Sequence, residues 1–123
     1  MNIRRAQSSD IPLIAAVQTA SWQDTYSGVL PEAYLAGQIS EDLVLHWSAV
    51  EIQAEDVVLV AEDDGIIGFI AIWCRPDPFI DNLHVKPSRR SQKIGTTLLI
   101  STAQLLLNYP LSLDSEARGL LDR

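Results

Sequence analysis

The chain has a single cysteine, Cys74, among its 123 residues, and that cysteine stands inside an apolar run. A disulfide framework and a cysteine-built metal cluster are excluded, no metal is expected, and the thiol reads as a small buried hydrophobe in a reducing compartment. Basic residues are also scarce, nine Lys and Arg against sixteen Asp and Glu, which leaves a net charge of −7. Nucleic acid and anionic membranes need a basic face, so neither is expected as a partner, whereas a cationic acceptor such as an amine suits an acidic surface. No apolar run is long enough to cross a membrane, and Arg4 and Arg5 lead into polar residues rather than the apolar core of a signal peptide. A cytoplasmic protein is expected. Internal repeats, low-complexity segments and dividing linkers are all missing, so residues 1–123 read as one domain, and with 47% apolar residues it can build one core.

What is present follows an α/β pattern. Asn2 to Ala6 reads as a strand, and Ser8-Ser9-Asp10 supplies helix-capping candidates ahead of Ile11-Pro12. Leu13, Ile14, Val17 and Ala20 recur at helical spacing, predicting a first helix that ends near Trp22. Leu30 to Leu35 predicts a second short helix, and Glu41 to Val50 a further helical segment with Leu43, Val44 and Trp47 as its apolar positions. From Asp56 the spacing changes to strand runs: Val57 to Ala61, a turn at Asp63-Asp64-Gly65, Ile66 to Cys74 and, after Arg75-Pro76-Asp77-Pro78, Phe79 to Val85. A helix from Gly95 to about Asn108 with Leu98, Leu99, Thr102, Ala103 and Leu106 on its buried face, and a strand at Leu111 to Leu113, complete the pattern.

The stretch from Asp81 to Leu99 is where chemistry is expected. A strand ends at Val85, Pro87 stops it, a basic loop follows and Gly95 opens an apolar helix. The first amides of a helix have no partner within it and lie at the positive end of its dipole, and Arg89, Arg90 and Lys93 add formal charge, so an anion such as phosphate is the expected guest. A Walker A loop does not fit, because the only Lys between the Pro and the Gly lies two residues before that glycine rather than after it. A dinucleotide fingerprint does not fit either, since it needs three glycines behind the first strand of a domain.

The stretch resembles the acyl-CoA-binding motif of the GNAT superfamily of N-acetyltransferases. Val85, Pro87, Arg90, Ser91-Gln92, Lys93, Ile94 and Gly95 stand in that motif's register, with Lys93 where the family usually has its first glycine. Ser21-Trp22-Gln23-Asp24-Thr25-Tyr26, Gly28 and Leu30-Pro31 resemble the family's block between its first two helices. The resemblance implies a GNAT-like α/β (α+β) fold, a mixed and mostly antiparallel sheet flanked by helices and lacking the usual last two strands. It implies acetyl-CoA as acyl donor and a small-molecule or peptide amine as acceptor. Contacts to the donor would come from Leu83, His84 and Val85 and from Arg90, Ser91, Gln92, Lys93, Ile94, Gly95 and Thr96. Trp22 and Tyr26 would shape the acceptor pocket, or serve as core aromatics.

Acetyl transfer to an amine needs the amine neutral, the tetrahedral oxyanion stabilised and the leaving thiolate tolerated. Strand alternation predicts Phe79, Asp81, Leu83 and Val85 on one face and Ile80, Asn82 and His84 on the other. On that parity the resemblance implies Asp81 as the catalytic group that relays the amine proton, through water, with His84 ranked lower and packed against a helix. Leu121 stands where the family often has an acid tyrosine, and Tyr109 is badly placed to replace it. Two other readings remain: a degenerate GNAT-fold module that binds acyl-CoA or a protein partner without turnover, and an unrelated phosphate binder. A short C-terminus would leave the strand at Leu111 to Leu113 as an open edge, which predicts a homodimer or a covering partner chain.

Overall fold

The computed structural model describes residues 1–74 and 77–106. Across them run β1 (Asn2–Arg5), α1 (Ile11–Thr25), α2 (Ile39–Ala49), β2 (Val57–Glu62), β3 (Ile66–Cys74), β4 (Pro78–Val85) and α3 (Ile94–Leu106). The strands form one antiparallel sheet in the order β1-β2-β3-β4. The expected α/β architecture is the one found. Arg75 and Pro76, Tyr109, the expected strand at Leu111 to Leu113 and Leu121 lie outside the described residues.

Both sheet faces are covered, which is why β2 and β3 read as continuous apolar runs rather than alternating ones. Val57, Leu59, Ile70 and Ile72 pack with Ile94, Leu98 and Leu106 of α3. On the other face Val58, Val60, Phe69 and Ala71 meet Ile14 and Val17 of α1 and Trp47 of α2. A third cluster at the α1–α2 corner holds Leu35, Ile39 and Leu43 with Trp22, Tyr26, Leu30 and Tyr34.

The helices differ from expectation in ways that tertiary contacts explain. A 3-10 turn, Ser8–Asp10, precedes α1, with the Asp10 carboxylate accepting from the Gln7 amide at 2.7 Å. α1 runs a turn past Trp22, to Thr25, because its last turn is held from outside: Gln23 Nε2 donates to the Leu35 carbonyl at 2.7 Å, and Trp22 and Tyr26 pack on the third cluster. The two expected segments after it join into one helix, since a π-helical turn, Tyr34–Gln38, runs directly into α2. Leu35, Ile39, Leu43 and Trp47, each four residues on, are its buried stripe, while Val44 is exposed. α3 begins at Ile94 and buries Ile94, Leu98, Thr102 and Leu106, leaving Leu99 and Ala103 only partly covered.

β4 corrects the expected parity. Ala71 pairs with Asn82 and Ile72 with Ile80, so Asp81 is left out of the ladder as a bulge. Ile80 therefore joins Leu83 and Val85 on the α3 face. Asp81 instead turns towards Trp73 and Asn82, whose side chains it bonds.

Candidate active site

The loop between β4 and α3 is shaped by its backbone. After a 3-10 turn, Pro87–Arg89, Ser91 and Lys93 both take positive φ, 72° and 60°, before α3 starts. Lys93 thus keeps the left-handed conformation for which glycine is the usual residue. The first helical bond runs from the Thr97 amide to the Lys93 carbonyl at 3.0 Å. No described acceptor engages the amides of Ser91, Gln92, Lys93, Ile94, Gly95 or Thr96, so a run of donors at the positive end of α3 is available to an anion. They border an open groove of about 320 Å³ lined by Val85, Arg89, Arg90, Ser91 and residues 93–96. Leu83, two residues back on β4, packs on the α3 side with Val85. β4 is one of the two edge strands among the described residues, with β3 on one side.

Gly68 permits this arrangement, and nothing in the sequence analysis singled it out. A Cβ on it would come within 3.1 Å of the His84 carbonyl and 3.2 Å of Ile94 Cγ2, so a side chain here would push β4 and the first turn of α3 apart by a few tenths of an ångström.

Two of the three basic residues that add formal charge to the loop are paired in this structure. Arg89 is paired with Asp63 in the β2–β3 turn and also bonds Gln92 at 3.1 Å. Arg90 is paired with Asp24 in the last turn of α1. Each guanidinium is therefore paired in place, and of these three residues Lys93, exposed, is the one without a carboxylate partner among the described residues.

His84 sits behind the loop. Its Nδ1 lies 3.1 Å from Ser21 Oγ on α1, and its ring packs against Phe69 with centroids 5.6 Å apart. Burial, and secondarily the charge of Arg90, hold its pKa below the ordinary imidazole value. Arg90 also reaches Ser21 Oγ, at 3.5 Å. A guanidinium only donates, so the Ser21 oxygen accepts from it, and Ser21 Oγ joins Arg90 to His84. The expected donor contact thus has its Nδ1 turned to α1 rather than to the groove.

Asp81 is exposed, with Trp73 Nε1 donating to its Oδ2 at 3.0 Å and Asn82 Nδ2 to the same oxygen at 2.9 Å. Trp22 and Tyr26 meet edge to face at 5.3 Å in the third cluster. The structure therefore brings Val85 and the 90–96 loop together in one groove, with Leu83 and Asp81 further along the same strand, and seats Trp22 and Tyr26 at the helix corner. Ser21 and Asp24, on the same helix turn as Trp22, are the residues of that block that touch the loop. Their signal in sequence is ordinary helix polarity, which identifies no partner. Cys74 is buried, its thiol pushed up by burial, and among the described residues no group of three His, Cys, Asp or Glu could hold a metal ion. No helix there is long and apolar enough to cross a membrane.

Comparison with known proteins gives this geometry a context. The family model of the acetyltransferase (GNAT) domain matches residues 54–120, from β2 through the loop and α3. A spermidine N(1)-acetyltransferase of Thermoplasma acidophilum is 26% identical over 113 residues, covering 86% of this chain and 70% of that protein. The crystal structure of the PaiA N-acetyltransferase of Thermoplasma acidophilum in complex with coenzyme A superposes with a TM-score of 0.67 at 26% identity, over 86% of this chain and 71% of that one. A GNAT family acetyltransferase of Brucella melitensis, solved with acetyl-CoA, shares the fold at a TM-score of 0.57 and 21% identity, over 96% of this chain and 80% of that one.

Proposed function

The chain belongs to the GNAT acetyltransferase family, and from that premise we propose that it is an N-acetyltransferase that moves an acetyl group from acetyl-CoA to an amine. The observation that carries this reading is the run of six amides, Ser91 to Thr96, that no described acceptor engages, opening on the groove beside Val85. Such a run fits a diphosphate: successive N–H groups supply directed bonds, the helix dipole supplies field, and Lys93 supplies charge. Backbone carries most of that work, so the loop tolerates Lys93 in a glycine's place at the cost of one left-handed side-chain residue.

The residues beside the groove suit the remaining chemistry. Main-chain groups of β4 from Leu83 to Val85 lie along the strand that enters the loop, where an amide can polarise a thioester carbonyl. Asp81 is an exposed carboxylate on the same strand that can take the amine proton through water. The net charge of −7 favours a cationic acceptor, and the spermidine acetyltransferase relative supports a small polyamine as the first amine to try. A cytoplasmic setting fits such a substrate.

Isothermal titration of the full chain with acetyl-CoA tests the donor half: saturable binding at about one per chain is expected, and no binding at millimolar concentration overturns the reading. Thiol release is then followed with spermidine, a simple monoamine and a lysine-containing peptide. One observation favours a second reading, a module that binds acyl-CoA without turnover: both loop guanidiniums are already neutralised by carboxylates. Binding without thiol release for any amine would select it.

A further inference from the structure

A chain of side-chain hydrogen bonds crosses the interface between α1, α2 and β4, and its direction can be read from one residue. Trp47 Nε1 donates to Gln18 Oε1 at 2.6 Å. An indole N–H only donates, so the amide oxygen of Gln18 must face Trp47 and its NH2 must face away. That NH2 donates to Asn82 Oδ1 at 3.3 Å, which turns the Asn82 NH2 to Asp81 Oδ2 at 2.9 Å. Trp73 Nε1 donates to the same oxygen at 3.0 Å. Every link thus points towards Asp81, and both bonds end on Oδ2. Oδ1 accepts none from the described residues.

Trp47 is 1% exposed and Gln18 5%, so the first link lies inside the α1–α2–sheet core, where Gln18 Oε1 is the acceptor that the buried indole N–H needs. That need accounts for Gln18 Oε1 alone; it does not call for the onward links from the Gln18 NH2 to Asn82 and from Asn82 to Asp81. The bulge adds a second, independent sign. Asp81 is lifted out of the β3–β4 ladder, its side chain re-aimed to the face where Asn82 meets α1.

We infer that Gln18 and Asn82 are positioning residues that pin Oδ2 of Asp81 and so present Oδ1 to the acceptor amine; this rests on the acetyltransferase reading above. Asp81 Oδ1 takes, through water, the proton that leaves the nitrogen as the N–C bond forms and the C–S bond breaks, and water carries a proton on to the departing thiolate. Atoms and charge balance with the amine and the acetyl donor alone. A carboxylate free to rotate would spend part of its time with neither oxygen towards the amine, and catalysis is sensitive to such misplacement.

The test uses the full chain, with Gln18→Met removing the buried link at similar volume, Asn82→Ser removing the outer one, and Asp81→Asn. Circular dichroism first confirms folding, and Asn82→Ser carries the test if Gln18→Met does not fold. With the best amine of the panel above, each positioning variant should lower kcat roughly 10- to 100-fold, within or just below the range of a general base itself. The dissociation constant of acetyl-CoA should stay within about twofold. In the Asp81→Asn background the same substitutions should have no further effect, a coupling that a merely structural role does not produce. Unchanged kcat, or losses that multiply with Asp81→Asn, overturns the inference while leaving the acetyltransferase reading intact. If wild type releases no thiol, amine titration of the acetyl-CoA-loaded protein decides: Asp81→Asn and Asn82→Ser must both weaken amine binding, and equal or absent binding overturns it. Failure of wild type to bind acetyl-CoA ends the parent reading instead.

Discussion

Arg90 of the anion loop is ion-paired with Asp24 in the last turn of α1, two residues 66 apart in sequence. Their side chains are 43% and 52% exposed, so the pair is worth less than about 1 kcal/mol and is easily opened. An anion entering the groove gains this guanidinium only by displacing the carboxylate. Asp24→Asn should therefore tighten coenzyme A binding by up to ~5-fold at low ionic strength, the gain shrinking as salt screens the charge. Titration calorimetry at two salt concentrations checks it. Weaker binding in the variant would mean that the pair shapes the loop instead.

Lys93 adopts φ of 60°. A left-handed side-chain residue costs about 1–2 kcal/mol, from which the greater unfolded freedom of glycine takes back about 0.5–1. Lys93→Gly should therefore stabilise the fold by up to about 1 kcal/mol, a shift of a few degrees in melting temperature. The same variant should bind coenzyme A with a shallower salt dependence, having lost the loop's unpaired charge. A lower melting temperature would contradict the assigned strain.

His84 titrates below its ordinary 6.5 in the folded chain because it is half-buried and faces Arg90. Between the lowered value and 6.5 the unfolded chain binds the extra proton and the folded chain does not. The stabilisation is thus complete above about pH 6.5 and lost as pH falls through the folded pKa. Urea denaturation across this window should show stability falling towards acid, with a smaller slope in His84→Gln. An imidazole NMR titration reads the lowered pKa directly; a midpoint at or above 6.5 would exclude the environment described here.

Thr102 is 3% exposed, and its hydroxyl has no hydrogen-bond partner among the described residues. An unsatisfied buried hydroxyl costs on the order of 1–3 kcal/mol, so Thr102→Val should be stabilising by about 1 kcal/mol. A higher urea midpoint at unchanged slope is the expected result.

Much of the scaffold was legible beforehand. β3 from Ile66 to Cys74 and the Asp63-Asp64-Gly65 turn need only a β-branched run and a residue pair that tolerates positive φ, and both stand as read. The stop at Pro87 and the start of α3 within a residue of Gly95 are equally local. Asp81 shows where such reading ends. Period-two alternation put it with Leu83 and Val85, but a bulge is a property of two strands in register, and neither strand shows it alone. The pairing of the loop's arginines was hidden for a similar reason, since each arginine's partner arrives from another element.

Order of elements, apolar stripes and a run of unengaged backbone amides before α3 were determined by the sequence itself, because spacing, turn residues and unpaired helix amides act over a few residues. Only the tertiary structure decided that Arg89 and Arg90 are already neutralised, that His84 faces Ser21 and that Asp81 hangs at the end of a chain from Trp47. Those outcomes depend on which distant side chains fold into hydrogen-bonding distance, and a side chain's charge or donor says nothing about its partner until the chain has closed.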